Sequence, residues 1–399
     1  MTTSSLPKPS PLASRFAIDP SVVYLNHGSF GACPIGVIRA QQGHRDRVEA
    51  DAMRFYIQDL WGDIDRSRAA LAGLINARPS DLVFLPNATS AVATVIANTP
   101  LEPGDEVLIS NFEYPACVNN LRRACDQAGA KLVVAELPWD DISEDSVLES
   151  FLQKSSERTR LAMFSLITSA TAIRLPVQRL IARLKARGIE TLLDAAHGPG
   201  CVPMDLEAWG ATYTTGNGHK WLCAPKGAAF LHVAQPKQSG FRPLVLSNDA
   251  FDLEPAIKRT GRSAFNHEFD YMGTDDRSAI LSLADAIECL GSMLPGGIDR
   301  LMEHNRDLCI NARDLLCERL GTAPLVPDSM LGPLATIDIP TQRYTPTQLR
   351  IALMERFRIE AMIVPNPLRQ NPMVRVSPQV YNSLEQYEYL ADSISGLIG

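Results

Sequence analysis

The sequence predicts an α/β protein: a large domain built on one seven-stranded, mostly parallel sheet, followed by a smaller α+β C-terminal domain. Three observations carry this expectation. Seven short apolar runs, at residues 81–85, 106–110, 131–135, 160–165, 190–193, 211–215 and 227–232, alternate with helix-patterned stretches, as strands joined by crossover helices do. From about residue 278 the pattern changes to long amphipathic helices. The length of 399 residues exceeds what a single core ordinarily serves. The expected divisions are an N-terminal arm at 1–30, a large domain at 31–277 and a small domain at 278–399.

The elements follow in order. The run at 81–85 leads into Pro86-Asn87-Ala88-Thr89-Ser90 and a helical stretch at 91–97. Such a start, rich in capping residues, leaves free N–H groups and a helix dipole that favour a phosphate, although simple capping explains most such sequences. The run at 106–110 ends in Asn111-Phe112-Glu113-Tyr114, which puts an aromatic at a strand end. In the helix expected at 115–128, Cys117, Leu121 and Cys125 recur every four residues; in that at 176–187, Val177, Leu180, Ile181 and Leu184 share one face behind an initial proline. The run at 190–193 meets Asp194-Ala195-Ala196-His197, and the run at 211–215 meets Gly216-Asn217-Gly218-His219-Lys220-Trp221. The remaining elements are helices at 278–293 and 298–320, a strand at 334–339, a helix at 347–357 and a closing helix from Leu384.

Composition removes several function classes. A net charge of −7 argues against a general nucleic-acid binder. No uncharged apolar run approaches the ~18 residues of a membrane helix; the longest candidate, at 161–173, is interrupted by Ser and Thr. The Ser/Pro-rich opening at 1–15 lacks an apolar segment, so no secretory signal is expected. Eight scattered cysteines form no C-x-x-C pair and no zinc spacing with histidine. They read as free thiols, and the cytoplasm is the expected compartment.

In an open parallel sheet, ligands bind beyond the carboxyl ends of the strands. A lysine (Lys220) and an acid (Asp194), each at such an end, suit pyridoxal 5'-phosphate (PLP). The lysine holds its aldehyde as a Schiff base, and the acid keeps its ring nitrogen protonated. Taken singly, Lys220 is a lysine in a glycine-flanked turn, His197 a surface or structural histidine, Tyr114 a packing aromatic, and Gly273-Thr274 a turn.

Taken together they resemble a family. Asn26-His27-Gly28-Ser29-Phe30-Gly31, Asn87-Ala88-Thr89-Ser90, Glu113-Tyr114, Asp194-Ala195-Ala196-His197, Gly218-His219-Lys220-Trp221, Ala224-Pro225-Lys226-Gly227, Gly273-Thr274 and Arg375-Val376-Ser377-Pro378 occur in one order across nearly the whole chain. This set resembles the class V aminotransferase-fold PLP enzymes, in particular the isopenicillin-N-epimerase-like branch. The resemblance implies fold type I, with Lys220 forming the Schiff base, Asp194 on the pyridine nitrogen, Tyr114 stacked on the ring and His197 near its hydroxyl. It implies that Ala88 and Thr89 hold the phosphate with Asn217 and His219 beside them, and that Thr274 reaches the phosphate of a neighbouring subunit in a homodimer. Arg375 takes the place of the arginine that grips the substrate carboxylate, with Asn26 and Ser169 in the substrate space. Lys226 matches a structural lysine. The segment 166–172 departs from the family's His-x-Thr-Ser-Pro-Thr-Gly, with Leu166, Ala170 and Ala172 in place of His, Pro and Gly.

The implied chemistry is removal of a Cα proton from an α-amino acid by Lys220. Epimerisation and β-elimination of a C–S lyase type stand level, with transamination as an alternative and a non-catalytic PLP-binding regulator behind them. A persulfide-forming desulfurase is disfavoured, because 364–372 contains no cysteine. Arg54, Tyr56, Arg174, Arg262, His267 and Arg369 are polar candidates for reading the substrate side chain.

Overall fold

The computed structural model describes residues 6–399; the first five residues of the arm expected at 1–30, and of the opening at 1–15 in which no secretory signal was expected, lie outside it. Among the described residues twelve strands run in chain order as β1 (Val23–Tyr24), β2 (Leu82–Leu85), β3 (Glu106–Ser110), β4 (Lys131–Ala135), β5 (Thr159–Ser165), β6 (Glu190–Asp194), β7 (Tyr213–Asn217), β8 (Ala229–Val233), β9 (Ala335–Asp338), β10 (Ile359–Glu360), β11 (Met362–Pro365) and β12 (Pro372–Val376). The seven predicted runs are β2 to β8, and they form one sheet in the order β2-β8-β7-β6-β5-β3-β4. Only β8 runs antiparallel to its neighbours; the other pairings are parallel.

The runs are continuously apolar because both faces of the sheet are covered. Along β2, Leu82 and Phe84 join one apolar cluster while Val83 and Leu85 join the other, the alternation a pleated strand imposes. Helices Pro115–Ala128 and Val177–Lys185 bury the faces expected of them: Cys117, Leu121 and Cys125 in the first, Val177, Leu180, Ile181 and Leu184 in the second. The stretch expected as one helix at 278–293 is instead two, Ser278–Leu281 and Leu283–Gly291. Ser282 separates them; its hydroxyl donates to the Ser278 carbonyl, the local competition by which serine interrupts helices. Both halves pack against helices Ile35–Ala50 and Leu60–Ile75.

The C-terminal region holds a three-stranded antiparallel sheet, β11-β12-β9. Of these strands only β9 was expected from the sequence; β11 ends and β12 begins in proline, and their connecting turn is rich in Pro and Asn. The N-terminal arm is bound into this region, since β1 pairs in parallel with β10 and Asn26 bridges to Ser377. Just beyond, Gly31 has φ +71°, and a Cβ there would lie 2.2 Å from the His219 carbonyl oxygen and 2.9 Å from that of Lys220. The arm therefore lies directly on the turn that carries Lys220.

Gly31→Ala combines left-handed strain with a backbone clash and is expected to cost about 3 kcal/mol or more. Gly43→Ala, at an exposed helical glycine with nothing within 4 Å, is expected to stabilise by roughly 0.5–1 kcal/mol. Urea denaturation of the two variants checks both signs.

Candidate active site

The carboxyl ends of β2, β3, β5, β6 and β7 converge on a cavity of about 350 Å³ that β12 closes from the C-terminal region. Its walls include Ala88, Thr89, Tyr114, Ser169, Asp194, His197, Asn217, His219, Lys220 and Arg375. Of the residues predicted from sequence, Asn26 stands one hydrogen bond behind this wall, and Thr274 lies outside it, with its hydroxyl 3.2 Å from that of Tyr271.

Asp194 ends β6 and is buried. One carboxylate oxygen accepts from the Ala196 N–H at 2.9 Å and the other from the Cys117 thiol at 3.6 Å. Burial pushes its pKa up, against the backbone hydrogen bond and the nearby Lys220. Among the described residues no cation pairs with it, so the carboxylate is buried without the partner such a charge requires.

Lys220 is half-buried, and its Nζ is 3.0 Å from His197 Nε2. The other ring nitrogen, Nδ1, accepts from the indole N–H of Trp221 at 3.1 Å. An indole can only donate. Nδ1 must then be bare, and the neutral ring carries its proton on Nε2, pointing at Lys220. That arrangement suits a neutral amine. Burial lowers the Lys220 pKa to about 8, with Asp194 opposing and Arg375 reinforcing the shift. Burial likewise holds His197 well below the usual imidazole value. The rival, Lys226, faces away and donates to the Gly31 carbonyl at 3.0 Å.

Helix Ala88–Ala97 starts at Asn87, whose side chain accepts from the Ser90 N–H. Asn217 Oδ1 takes the Ala88 N–H at 3.0 Å, so that group is already engaged. The Thr89 N–H and hydroxyl have no partner among the described residues and are the free donors of this helix end. His219 donates from Nδ1 to the Ala228 carbonyl at 3.1 Å, and burial lowers its pKa to about 4. Tyr114 is held at the cavity edge by the following Pro115, which begins helix Pro115–Ala128 with φ already set; the residue is 45% exposed.

Arg375 on β12 is buried and, among the described residues, meets only neutral acceptors: Ser169 O at 2.5 Å, Ser29 Oγ at 3.0 Å and Asn26 Oδ1 at 3.4 Å. Its Nε has no hydrogen-bond partner among the described residues. Burial lowers its pKa to about 10. A guanidinium held this way is open to an anion from the cavity.

The side-chain readers proposed from sequence lie elsewhere. Arg262 pairs with Asp65 and Asp270, His267 with Asp249, and Arg369 with Asp338 and Asp140. Tyr56 donates to the Asp275 carbonyl, Arg54 lies near Asp59, and Arg174 borders a separate surface cleft. Each finds an acid, a carbonyl or solvent before it reaches the cavity. Ser29, Cys117, Ser165, Ile167 and Met362 line the cavity and were missed. Cys117 was read only as part of an apolar helix face; its second role, toward Asp194, depends on how that helix lies on β6.

The sequence profile of the family described as Aminotransferase class-V matches residues 47–390. The chain is 32% identical over 395 residues to isopenicillin N epimerase of Streptomyces clavuligerus, covering 96% of this chain and 97% of the relative. It is 29% identical to a probable chloroplastic L-cysteine desulfhydrase of Arabidopsis thaliana, over 95% and 84% of the two chains. Among solved structures, the cystine C-S lyase C-DES, in complex with cysteine persulfide, superposes with a TM-score of 0.80 at 17% identity, covering 94% of this chain and 98% of that one. The cysteine desulfurase CsdA of Escherichia coli superposes at 0.77 with 19% identity, covering 97% and 98%.

The residues present fit PLP. The unpaired buried carboxylate of Asp194 suits a protonated ring nitrogen, the free donors of Thr89 suit a phosphate, and the near-neutral amine of Lys220 suits an aldehyde. Uptake of PLP by the apo-protein is expected to rise about tenfold per pH unit and to level off above about pH 8, as the neutral fraction of Lys220 does. Trp221→Phe frees the His197 ring to accept from a charged ammonium, and is expected to move that midpoint upward. Stopped-flow absorbance across pH measures both.

Proposed function

We propose that this chain, a member of the class-V aminotransferase family, removes the Cα proton of a β-substituted α-amino acid and expels the β-substituent, as a C–S lyase does. It is a PLP-dependent enzyme; the cofactor, when bound, supplies the electron sink that makes a Cα proton acidic. The observation that carries the lyase reading is that, among the described residues, Lys220 is the one amine lining the cavity, with its Nζ 3.0 Å from the His197 imidazole. Lys220 has a pKa of about 8, whereas His219 lies at about 4 and His197 well below 6.5. Elimination needs one such group, which takes the Cα proton and can hand it to the departing sulfur. Arg375 holds the substrate carboxylate, Asp194 accepts from the ring nitrogen, and Ser29 and Ser169 steady the guanidinium. The likeness to the desulfhydrase of Arabidopsis supports the same reading.

Epimerisation is the second reading, and the 32% identity to the Streptomyces epimerase favours it. It requires a second proton donor opposite Lys220, and the exposed phenol of Tyr114 is the candidate. The minimal unit in either case is a homodimer, with Thr274 offered to the partner's site, and the compartment is the cytoplasm. Among the described residues no helix is long and apolar enough to cross a membrane.

Incubation with L-cysteine and other β-substituted amino acids in D₂O separates the readings. Elimination yields an oxo acid, ammonia and the free thiol or sulfide. Deuterium at Cα with loss of optical activity, and an undiminished amino acid pool, would sink the lyase proposal in favour of epimerisation. Transfer of the amino group to an added 2-oxo acid would establish transamination instead. Arg375→Gln is expected to lower kcat/KM about 10²-fold through lost carboxylate binding, while Lys220→Ala abolishes turnover and the visible cofactor band.

A further inference from the structure

Behind Asp194 stands a second buried acid that the reaction described above does not use. Glu113 lies in the link between β3 and helix Pro115–Ala128 and is 7% exposed. Its two carboxylate oxygens accept from Ser110 Oγ at 2.5 Å and Ser165 Oγ at 2.6 Å. These lengths are those of hydroxyl donors to a charged carboxylate. Among the described residues no Lys, Arg or His forms an ion pair with it. An amide could accept from one serine and donate to the other, so hydrogen bonding alone does not call for an acid here.

Ser165 ends β5, lines the cavity and is the Cα partner of Asp194 across the β5–β6 ladder. Its single hydroxyl proton is spent on Glu113. The two carboxyl groups are thus neighbours around the ends of adjacent strands, and the charge of Asp194 raises the proton affinity of Glu113; Coulomb repulsion is mutual, so a charged Glu113 acts on Asp194 in the same sense. We propose that Glu113 is a positioning residue for Asp194, whose negative charge makes Asp194 a stronger acceptor for the protonated ring nitrogen of the cofactor.

The groups facing Glu113 leave it free to titrate in the useful range. Asp194 on β6 disfavours its ionisation, and the thiol of Cys117, from the adjoining helix, is kept protonated by burial and by Asp194. Ser110 and Ser165 carry no charge, and Lys220 acts from beyond Asp194. Burial, the largest cause, lifts Glu113 to about 7. The charge is therefore present above neutral pH and lost below it.

The inference rests on Asp194 being the ring-nitrogen partner. Its test is PLP binding to the apo-protein, wild type against Glu113→Gln, with glutamine standing in for the protonated acid. The ratio of the variant's Kd to that of wild type is expected to be near one at about pH 6 and to reach about five- to tenfold at about pH 8.5. For a carbocyclic analogue with C–H in place of the ring nitrogen, the ratio stays near one at both. A ratio independent of pH, or equal weakening for the analogue, overturns the proposal and leaves Glu113 a structural residue. Should Glu113→Gln not fold, Ser165→Ala removes one donor to the carboxylate. The ratio of its Kd to that of wild type, in which the Lys220 titration cancels, is expected to be largest a little above neutral pH, where only the wild-type Glu113 is charged, and a ratio independent of pH overturns the proposal. Wild-type protein that binds no PLP at all defeats the underlying reading of the site, whereas binding with a flat ratio defeats this inference alone.

Discussion

Removing water from Lys220 is the constraint around which the site is built. An exposed lysine is almost wholly protonated at neutral pH; with a pKa near 8, about a tenth of the Lys220 amines are neutral at pH 7. Burial lowers the value, yet burial alone would leave the amine's direction undefined. The His197 imidazole supplies the direction, and Trp221 fixes which imidazole nitrogen carries the proton. Trp221 in turn is fully buried and meets the edge of His27 at 4.9 Å. His27 accepts at Nε2 from the Gln379 amide at 3.3 Å and so donates from Nδ1 to the Tyr381 hydroxyl at 2.9 Å. The state of one amine thus depends on groups drawn from the arm, the strand ends and the C-terminal region.

The same dependence explains why the arm and the C-terminal region cannot be separated from the site. Gly31 lies against the Lys220 turn without room for a methyl group. Arg375 reaches the cavity from β12 only because Asn26 and Ser29, on the arm, and Ser169, after β5, hold its donors. A buried guanidinium without a carboxylate is costly, and here it is retained at the one wall where an anionic ligand can meet it. Asp194 presents the complementary case, an acid without a cation at the opposite wall. Two unbalanced charges of opposite sign define the orientation of whatever binds between them.

Much of this was legible in the residues. The seven runs are strands because each is a short, fully apolar segment bounded by turn residues, and a sheet covered on both faces demands that pattern. Asp194, His197, Asn217 and Lys220 were visible because they interrupt or immediately follow such runs. The split at Ser282 was less visible, since the apolar period continues through it and only the serine's hydrogen bond to Ser278 breaks the helix. β11 and β12 were hidden by Pro365 and Pro372 at their facing ends and by Arg375, a charge within an otherwise apolar strand. Arg262 and His267 looked available because charges in a sequence do not announce their partners; in the fold each has an acid beside it.

What the sequence by itself determined is the class of chemistry: a lysine and an acid at neighbouring strand ends, in a chain whose apolar periodicity admits little but a covered parallel sheet. What the tertiary structure decided is the working state of those groups. Desolvation, the tautomer of His197, the orphaned Nε of Arg375 and the contact of Glu113 with Ser165 all arise between residues far apart in the chain. They depend on which strand ends lie side by side. Strand order and register are set by packing over the whole sheet, and no local pattern encodes them.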